Sequence, residues 1–483
     1  MESWRSALAR YAGKRAVIYA FILCALPLGL VSAVLTPLGQ SPDEPAHVAR
    51  AAGLLHGAIL GVRKHEYDGV TGKTFEVTGV KVDRGLFSAS LAPTTMIGNH
   101  PIVTIGDLSA AWSTPADHSK IFPDLPNTAT YFPVPYLPAT LGLAAGLAVR
   151  APPFDCVTLA RLFMLAAFIA LGAAALALTR FGEAALLATL LLPMTVFLAG
   201  SVNEDGVLIG MACLSAALLT RGSTGARRLG LLVLAVFLGS KPPYIGLFAV
   251  FLLPLASAGL WTRLRDIAIA CVPVMIWVGL IVAFVIIPYG QTPYHPGPLY
   301  AGDHSIVMDH ADARANLAVL LAKPIRLITL PWNTVVVWGR NTICGMIGIL
   351  GPLLIGLPMP LYAAWGISLG IAYAGAFLQR RPVPQSAGEA SANFVVTAAA
   401  AFGTFWLINI VFYLDWTYVG DTVISGVQGR YLIPILPFLL FGIPGRQWRF
   451  TLPPLLPALP AVLMGIFDIA YVPAKLVWTY YVH

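Results

Sequence analysis

Apolar runs long enough to cross about 30 Å of hydrocarbon follow one another along most of the chain. Short loops rich in arginine, glycine and proline break them. The first run spans about 16–38. Arg5, Arg10, Lys14 and Arg15 precede it, which holds the N-terminus in the cytoplasm and sends the helix outward. It continues without a small-x-small cleavage site before the polar loop, and so reads as a retained signal anchor. The polar segment 41–130 is then extracytoplasmic. It carries nine of the 22 acidic residues and five of the nine histidines, so candidate chemistry concentrates there. A helix is predicted to start near Pro42, and the Gly, Thr and Val alternations after Leu54 predict short strands.

Tyr131–Pro138 leads into an apolar run that ends at Arg150. If 131–150 is re-entrant or juxtamembrane, Arg180, the Arg221, Arg227 and Arg228 group, Arg263 and Arg265 all fall on the cytoplasmic side, and the positive-inside rule favours that arrangement. Helices are then expected over about 157–179, 182–200, 204–220 and 266–288, with two short apolar pieces at 228–240 and 243–260. A second extracytoplasmic loop, 289–320, carries Tyr294, His295, Asp303, His304, Asp309, His310 and Asp312. Residues 323–345 look broken by Pro324 and Pro331. A long run over 346–378, a short cytoplasmic linker, a helix over 393–414, the run entered at Gln428 and a last helix ending near Ile469 complete a single membrane domain, 1–483. The total is roughly 11–13 transmembrane helices in an all-α integral membrane fold.

Composition agrees with this pattern: 58% of residues are hydrophobic and 11% charged, against about 25% charged in soluble domains. The formal charge of +8 lies largely in short loops, not in a basic tract with interleaved aromatics, so nucleic acid is not an expected partner. All five cysteines lie in or beside apolar runs, where they pack as small residues. No tandem or inverted repeat of the transporter kind stands out.

Charges inside or beside apolar runs cost about 2.5–3.5 kcal/mol each on insertion, which makes them functional candidates. Asp43, Glu44 and His47 open the outer loop. They are suited to a well-capped helix start, to general-base chemistry, or to a divalent cation such as Mg or Mn. Arg161 needs an anionic partner, which is either a structural carboxylate or a phosphate. Asn203-Glu204-Asp205 reads as a helix N-cap or as a second acidic site, and Lys241 beside two prolines either snorkels or neutralises a phosphate. Gly429 permits close backbone approach, and Arg430 is an interfacial anchor or a phosphate clamp. The chain shows no P-loop or dinucleotide motif in context, so a nucleotide-sugar donor is not expected.

Several of these stretches resemble a bacterial family of polytopic membrane proteins known as domain of unknown function 2142, and more broadly the GT-C superfamily of membrane glycosyltransferases. The stretches are Ser41-Pro42-Asp43-Glu44-Pro45-Ala46-His47; Tyr131 to Pro138 with Leu159-Ala160-Arg161-Leu162; Leu192-Pro193-Met194 followed by Ser201; and Gly426-Val427-Gln428-Gly429-Arg430-Tyr431 with Pro434. The resemblance covers about 15–470. It implies a GT-C-like fold in the bacterial inner membrane. It further implies transfer of a sugar from a polyprenyl-phosphate donor to a cell-envelope glycan or lipid acceptor on the outer face. The base of such an enzyme would be Asp43 or Glu44. His47, Tyr131, Tyr136, Arg161, Asp205, Lys241, Gln428, Arg430 and Tyr431 would bind substrate. The turn Ser201-Val202-Asn203-Glu204-Asp205 departs from the Ser-x-x-Asp or Ser-Pro-Asp that the resemblance implies, so which acidic residue serves there stays open. The alternative function is a flippase for a lipid-linked saccharide using the same cations.

Overall fold

The computed structural model describes residues 2–68, 73–91, 103–125, 127–255, 258–286, 311–379, 386–445 and 453–482. The described chain is mostly helical, with three small antiparallel strand pairs. Helix α1 (Glu2–Leu35) leads to α2 (Glu44–Leu55). The polar segment then forms the hairpin of β1 (Val62–Asp68) and β2 (Lys73–Gly79), in register from Val62↔Gly79 to Asp68↔Lys73. A second pair joins β3 (Val82–Asp83) to β4 (Lys120–Ile121), enclosing α3 (Arg84–Leu91) and α4 (Ile105–Trp112).

Among the described residues six helices are long and apolar enough to cross a membrane: Gly13–Leu35, Pro153–Leu178, Leu260–Val285, Met359–Leu378, Ala387–Trp416 and Leu455–Val482. The sequence pattern led us to expect 11–13, and the difference has a physical cause. The other apolar runs are cut short by proline and glycine. Pro193 separates α7 (Glu183–Leu191) from α8 (Pro193–Ala199). The segment Pro242–Leu252 tightens into a 3-10 helix after Pro242-Pro243, and Gly429–Ile435 does so around Pro434. Helix α9 (Asp205–Leu219) has 15 residues, or about 22 Å, short of a full hydrocarbon crossing.

Helix α5 (Leu137–Ala148) packs antiparallel on α6 (Pro153–Leu178), with Gly142 against Ala160 and Gly146 against Cys156. With 12 residues, or about 18 Å, α5 is shorter than a full hydrocarbon crossing and lies against the first half of α6. Helix ends gather at two levels. At one, the Lys14 ammonium reaches the Thr179 carbonyl, and the Arg221 guanidinium donates to the Leu178 carbonyl at 3.3 Å. The Gly182 amide meets Gln379 at 2.6 Å there too. At the other, Tyr481 donates to the Leu35 carbonyl at 2.9 Å, and Ser240 donates to Glu204 at 2.8 Å. Helix α10 (Thr224–Ser240) runs from the first level to the second, and α11 (Leu260–Ile281) begins at the first.

Two further expectations change. Residues 323–345, expected to be broken at Pro324 and Pro331, break only at 323–325, between α12 (Ala313–Ala322) and α13 (Arg326–Gly348), and α13 runs on through Pro331. Pro331 costs that helix only one backbone bond near its start. The run 346–378 is not continuous. A hairpin of β5 (Ile349–Leu350) and β6 (Ile355–Gly356) turns through Gly351 (φ 63) and Leu353 (φ 67) before α14 (Met359–Leu378). Helix α15 (Ala387–Trp416), the short α16 (Leu436–Leu439) and α17 (Leu455–Val477) complete the bundle. Tyr294, His295, Asp303, His304, Asp309 and His310 lie outside the described residues, whereas Asp312 caps α12 by accepting from the amides of Arg314 and Ala315.

Candidate functional site

The helix expected to start near Pro42 starts at Glu44, and Asp43 is its N-cap. Asp43 adopts the left-handed conformation (φ 57, ψ 17) and makes no side-chain capping bond. An aspartate at a helix N-terminus ordinarily accepts from the next amides. Here the half-exposed carboxylate turns away, and Arg430 Nη2 donates to Asp43 Oδ2 at 3.1 Å. A non-glycine residue at positive φ stores on the order of 1 kcal/mol of strain. That strain presents a carboxylate to a cation.

Glu44 occupies a different environment. It is fully buried and its two oxygens accept four bonds: from Arg161 Nε (2.7 Å) and Nη2 (2.5 Å), from the Val202 amide (3.1 Å) and from the Gly39 amide (2.9 Å). Burial raises its pKa, but the Arg161 charge and these bonds override that and hold it below the usual carboxylate range. Arg161 is equally committed: Nη1 donates to the Ala33 and Thr36 carbonyls at 2.8 and 2.6 Å, and Nη2 donates to Pro37 at 3.0 Å. The pair ties the end of α1 to α6 and to the turn before α9.

The turn after α8 brings in the second acidic group. Asn203 Oδ1 accepts from the Asp205 amide at 2.8 Å, and Asn203 Nδ2 donates to the Pro42 carbonyl at 3.0 Å. Asn203 thus does the local capping and frees Asp205, whose Oδ2 lies 3.3 Å from Arg430 Nη1 and whose Oδ1 lies 3.5 Å from Lys241 Nζ. Lys241, where α10 ends, also stands 3.5 Å from Glu204 and 4.3 Å above the Tyr131 ring. Arg430 lies 5.3 Å from the Tyr431 ring. Arg430 is buried, yet its Nε and Nη1 have no hydrogen-bond partner. Glu204 Oε1, ion-paired with Lys241, and Gln428 Oε1 are likewise buried without a hydrogen-bond partner. Gly429 lets this segment lie on α13, since a Cβ there would stand 2.0 Å from the Thr342 carbonyl oxygen.

Behind the charges, His47 Nδ1 and the Tyr136 hydroxyl share a 2.6 Å hydrogen bond, with the rings stacked at 5.7 Å. Burial lowers the His47 pKa to about 4, so the imidazole is neutral at pH 7. Burial also pushes Glu204 up to about 7, even though Lys241 pulls it down. The structure therefore gathers Asp43, His47, Tyr131, Tyr136, Asp205, Lys241, Arg430 and Tyr431, and sets Glu44 and Arg161 apart as a closed pair. No contact places the Gln428 side chain on the charges. Sequence reasoning left out Ser240, which donates to Glu204, and Tyr244, which donates to the Tyr431 carbonyl at 2.6 Å. Both flank Lys241 as polar residues in an apolar stretch, and that was their signal.

Among the described residues no group of three or more His, Cys, Asp or Glu stands together as a metal site. The available donors fit a divalent cation poorly, because Arg430 bridges Asp43 and Asp205 and Lys241 adjoins them. The arrangement fits a mobile anion better. Two firm cations are neutralised by carboxylates, one of which is half-exposed.

The fold and site together define a multi-pass helical membrane protein with a charged cluster at one level of its bundle. Residues 26–439 match the family described as predicted membrane protein (DUF2142), and the chain belongs to that family. No curated protein and no solved structure matches it.

Proposed function

We propose that the protein is a GT-C-type glycosyltransferase that moves a sugar from a polyprenyl-phosphate carrier to a hydroxyl of a cell-envelope glycan or lipid, on the outer face of a bacterial plasma membrane. The observation that carries this reading is Asp43, a strained N-cap that does not cap. It stands half-exposed against an arginine with unfilled donors. The positive-inside rule supports the orientation: Lys14, Arg180, Arg221, Arg227, Arg228, Arg263 and Arg265 lie at the opposite level.

In this mechanism Asp43 takes the proton of the acceptor hydroxyl as that oxygen attacks the anomeric carbon. The bond from that carbon to the phosphate oxygen breaks, and the polyprenyl phosphate leaves with the electron pair. Arg430 and Lys241 stabilise the charge that grows on the leaving phosphate, which is the larger electrostatic contribution. Phosphate binding competes with Asp43 for Arg430, so the donor itself releases the base. Tyr131 and Tyr431 offer ring faces to the sugar. Glu44 and Arg161 hold the frame and do not contact substrate.

The test is donor consumption by the purified protein in liposomes, over a panel of polyprenyl-phosphate sugars, with free carrier as the readout. Release lost in both Asp43→Asn and Arg430→Ala supports the transferase. Movement of intact lipid-linked sugar across the bilayer, with no carrier released, replaces it with the flippase reading.

A further inference from the structure

We propose that the arginine cluster where α10 and α11 begin is a binding site for a phosphate group, supplied by an anionic phospholipid of the leaflet at that level. It lies at the far end of α10 from Lys241 and is independent of the transferase reading. Three guanidiniums converge on one carboxylate. Arg227 Nη2 pairs with Asp266 Oδ2, Arg228 Nε donates to the same oxygen at 2.9 Å, and Arg265 Nη2 lies 3.7 Å from Oδ1. Arg263, which donates to the Leu252 carbonyl, adds a fourth guanidinium within reach of the Arg227 charge. Four cations against Asp266 leave three positive charges uncompensated within the cluster.

A basic residue that merely obeys the positive-inside rule keeps its guanidinium in water. Arg227 does not. Its side chain is 1% exposed, and its Nε and Nη1 are buried without a hydrogen-bond partner. Arg263 Nε is in the same condition. Unfilled guanidinium donors beside net positive charge call for an acceptor with several oxygens, and the planar fork matches a phosphate.

The depth of the cluster points to the source. Arg228 and Arg265 are 51% and 63% exposed, so an approaching headgroup can reach them. Trp261, 83% exposed, sits one turn before Arg265, and Ile269 and Val272 continue an outward apolar face. Such a tryptophan marks the interface between headgroups and acyl chains. A lipid phosphate lies at that depth, with its chains along α11.

The test places the full chain in phosphatidylcholine nanodiscs with graded phosphatidylglycerol. It reads retained lipid by native mass spectrometry and the thermal midpoint. Phosphatidylglycerol should be retained over phosphatidylcholine and raise the midpoint. Arg228→Gln with Arg265→Gln should cut retention about fivefold per arginine removed, whereas Arg180→Gln, an exposed cation at the same level, should leave it unchanged. If the double variant does not fold, Arg265→Gln alone, at the most exposed position, carries the same comparison. Inorganic phosphate offered in detergent separates the sources. Protection by phosphate alone, through the same arginines, keeps the site and assigns it to the free anion. Equal retention of the two lipids, or a preference unmoved by the substitutions, overturns the site.

Discussion

Arg161 and Arg430 are both buried arginines that reach the start of α2, and the sequence offered phosphate binding for each, against a structural ion pair for Arg161 and an interfacial anchor for Arg430. The structure separates them by what their donors meet. Arg161 is closed, with Glu44 and three carbonyls accepting from it. Arg430 is open: Nη2 donates to Asp43 and, at 3.5 Å, to the Tyr431 hydroxyl, while Nη1, ion-paired with Asp205, and Nε are buried without a hydrogen-bond partner. A buried guanidinium without acceptors is costly unless something arrives to fill it. The difference teaches that burial alone does not tell the two cations apart, whereas unmet bonding does.

The strongest way to break this comparison is at the two acids. Asp43→Asn should cost about 10²–10⁴-fold in carrier release, the range for loss of a general base, and leave the thermal midpoint nearly unchanged, because Asp43 is half-exposed, caps nothing, and leaves Arg430 still paired with Asp205. Glu44→Gln should do the reverse. An uncharged amide beside Arg161 strands a buried cation, and breaking such a pair costs about 3–5 kcal/mol. The check is the yield and midpoint of folded protein measured beside carrier release. A Glu44→Gln protein that folds normally but releases no carrier would move the base to Glu44 and invert the assignment.

A second test strikes the open arginine through its backbone. Gly429→Ala pushes a Cβ into the α13 backbone at Thr342 and Met346, where neither neighbour can yield as a side chain would. The segment carrying Arg430 must shift, and a displacement of about 1 Å can cost roughly 10²-fold in rate. Release should fall with the donor concentration for half-maximal rate raised. A normal rate in Gly429→Ala would show that the placement of Arg430 is not critical.

How much of this was legible follows the same physics. The apolar runs, the basic loops and the long polar segment come directly from residue type, because water and hydrocarbon sort residues without regard to partners. Asp43, Lys241 and Arg430 stood out because charge beside apolar sequence is expensive. Their grouping did not, since Asp43 and Arg430 are 387 positions apart and only the packed bundle joins them. The separation of Glu44 from its neighbour Asp43 was also hidden. It depends on one positive φ, which turns adjacent carboxylates to different partners. Helix lengths were over-read, because apolar periodicity carries on through Pro193 and Pro434 whereas the backbone does not.

The smallest effect sharpens the comparison through pH. Glu44, at the closed arginine, is held below its ordinary range and stays charged at neutral pH. The open site carries two groups that titrate in opposite senses. Glu204 is raised from 4.5 to about 7, so its contribution to stability is full below pH 4.5 and is lost as pH rises through 7. His47 is lowered from 6.5 to about 4, so its contribution is full above pH 6.5 and is lost as pH falls through 4. Each shift corresponds to at most about 3 kcal/mol, and the two offset each other across the middle of the window. The joint contribution of these two groups to the midpoint should therefore vary little between pH 4.5 and 6.5, and each variant is read as a change of slope against wild type. Glu204→Gln should unmask His47, giving a midpoint that climbs with pH over that range. His47→Gln should unmask Glu204, giving a midpoint that falls from pH 4.5 towards 7. Thermal scans of the three proteins across pH 4–8 read both slopes. If the two variants tilt the same way, the opposition is absent and the open site does not hold its acid and its imidazole as described.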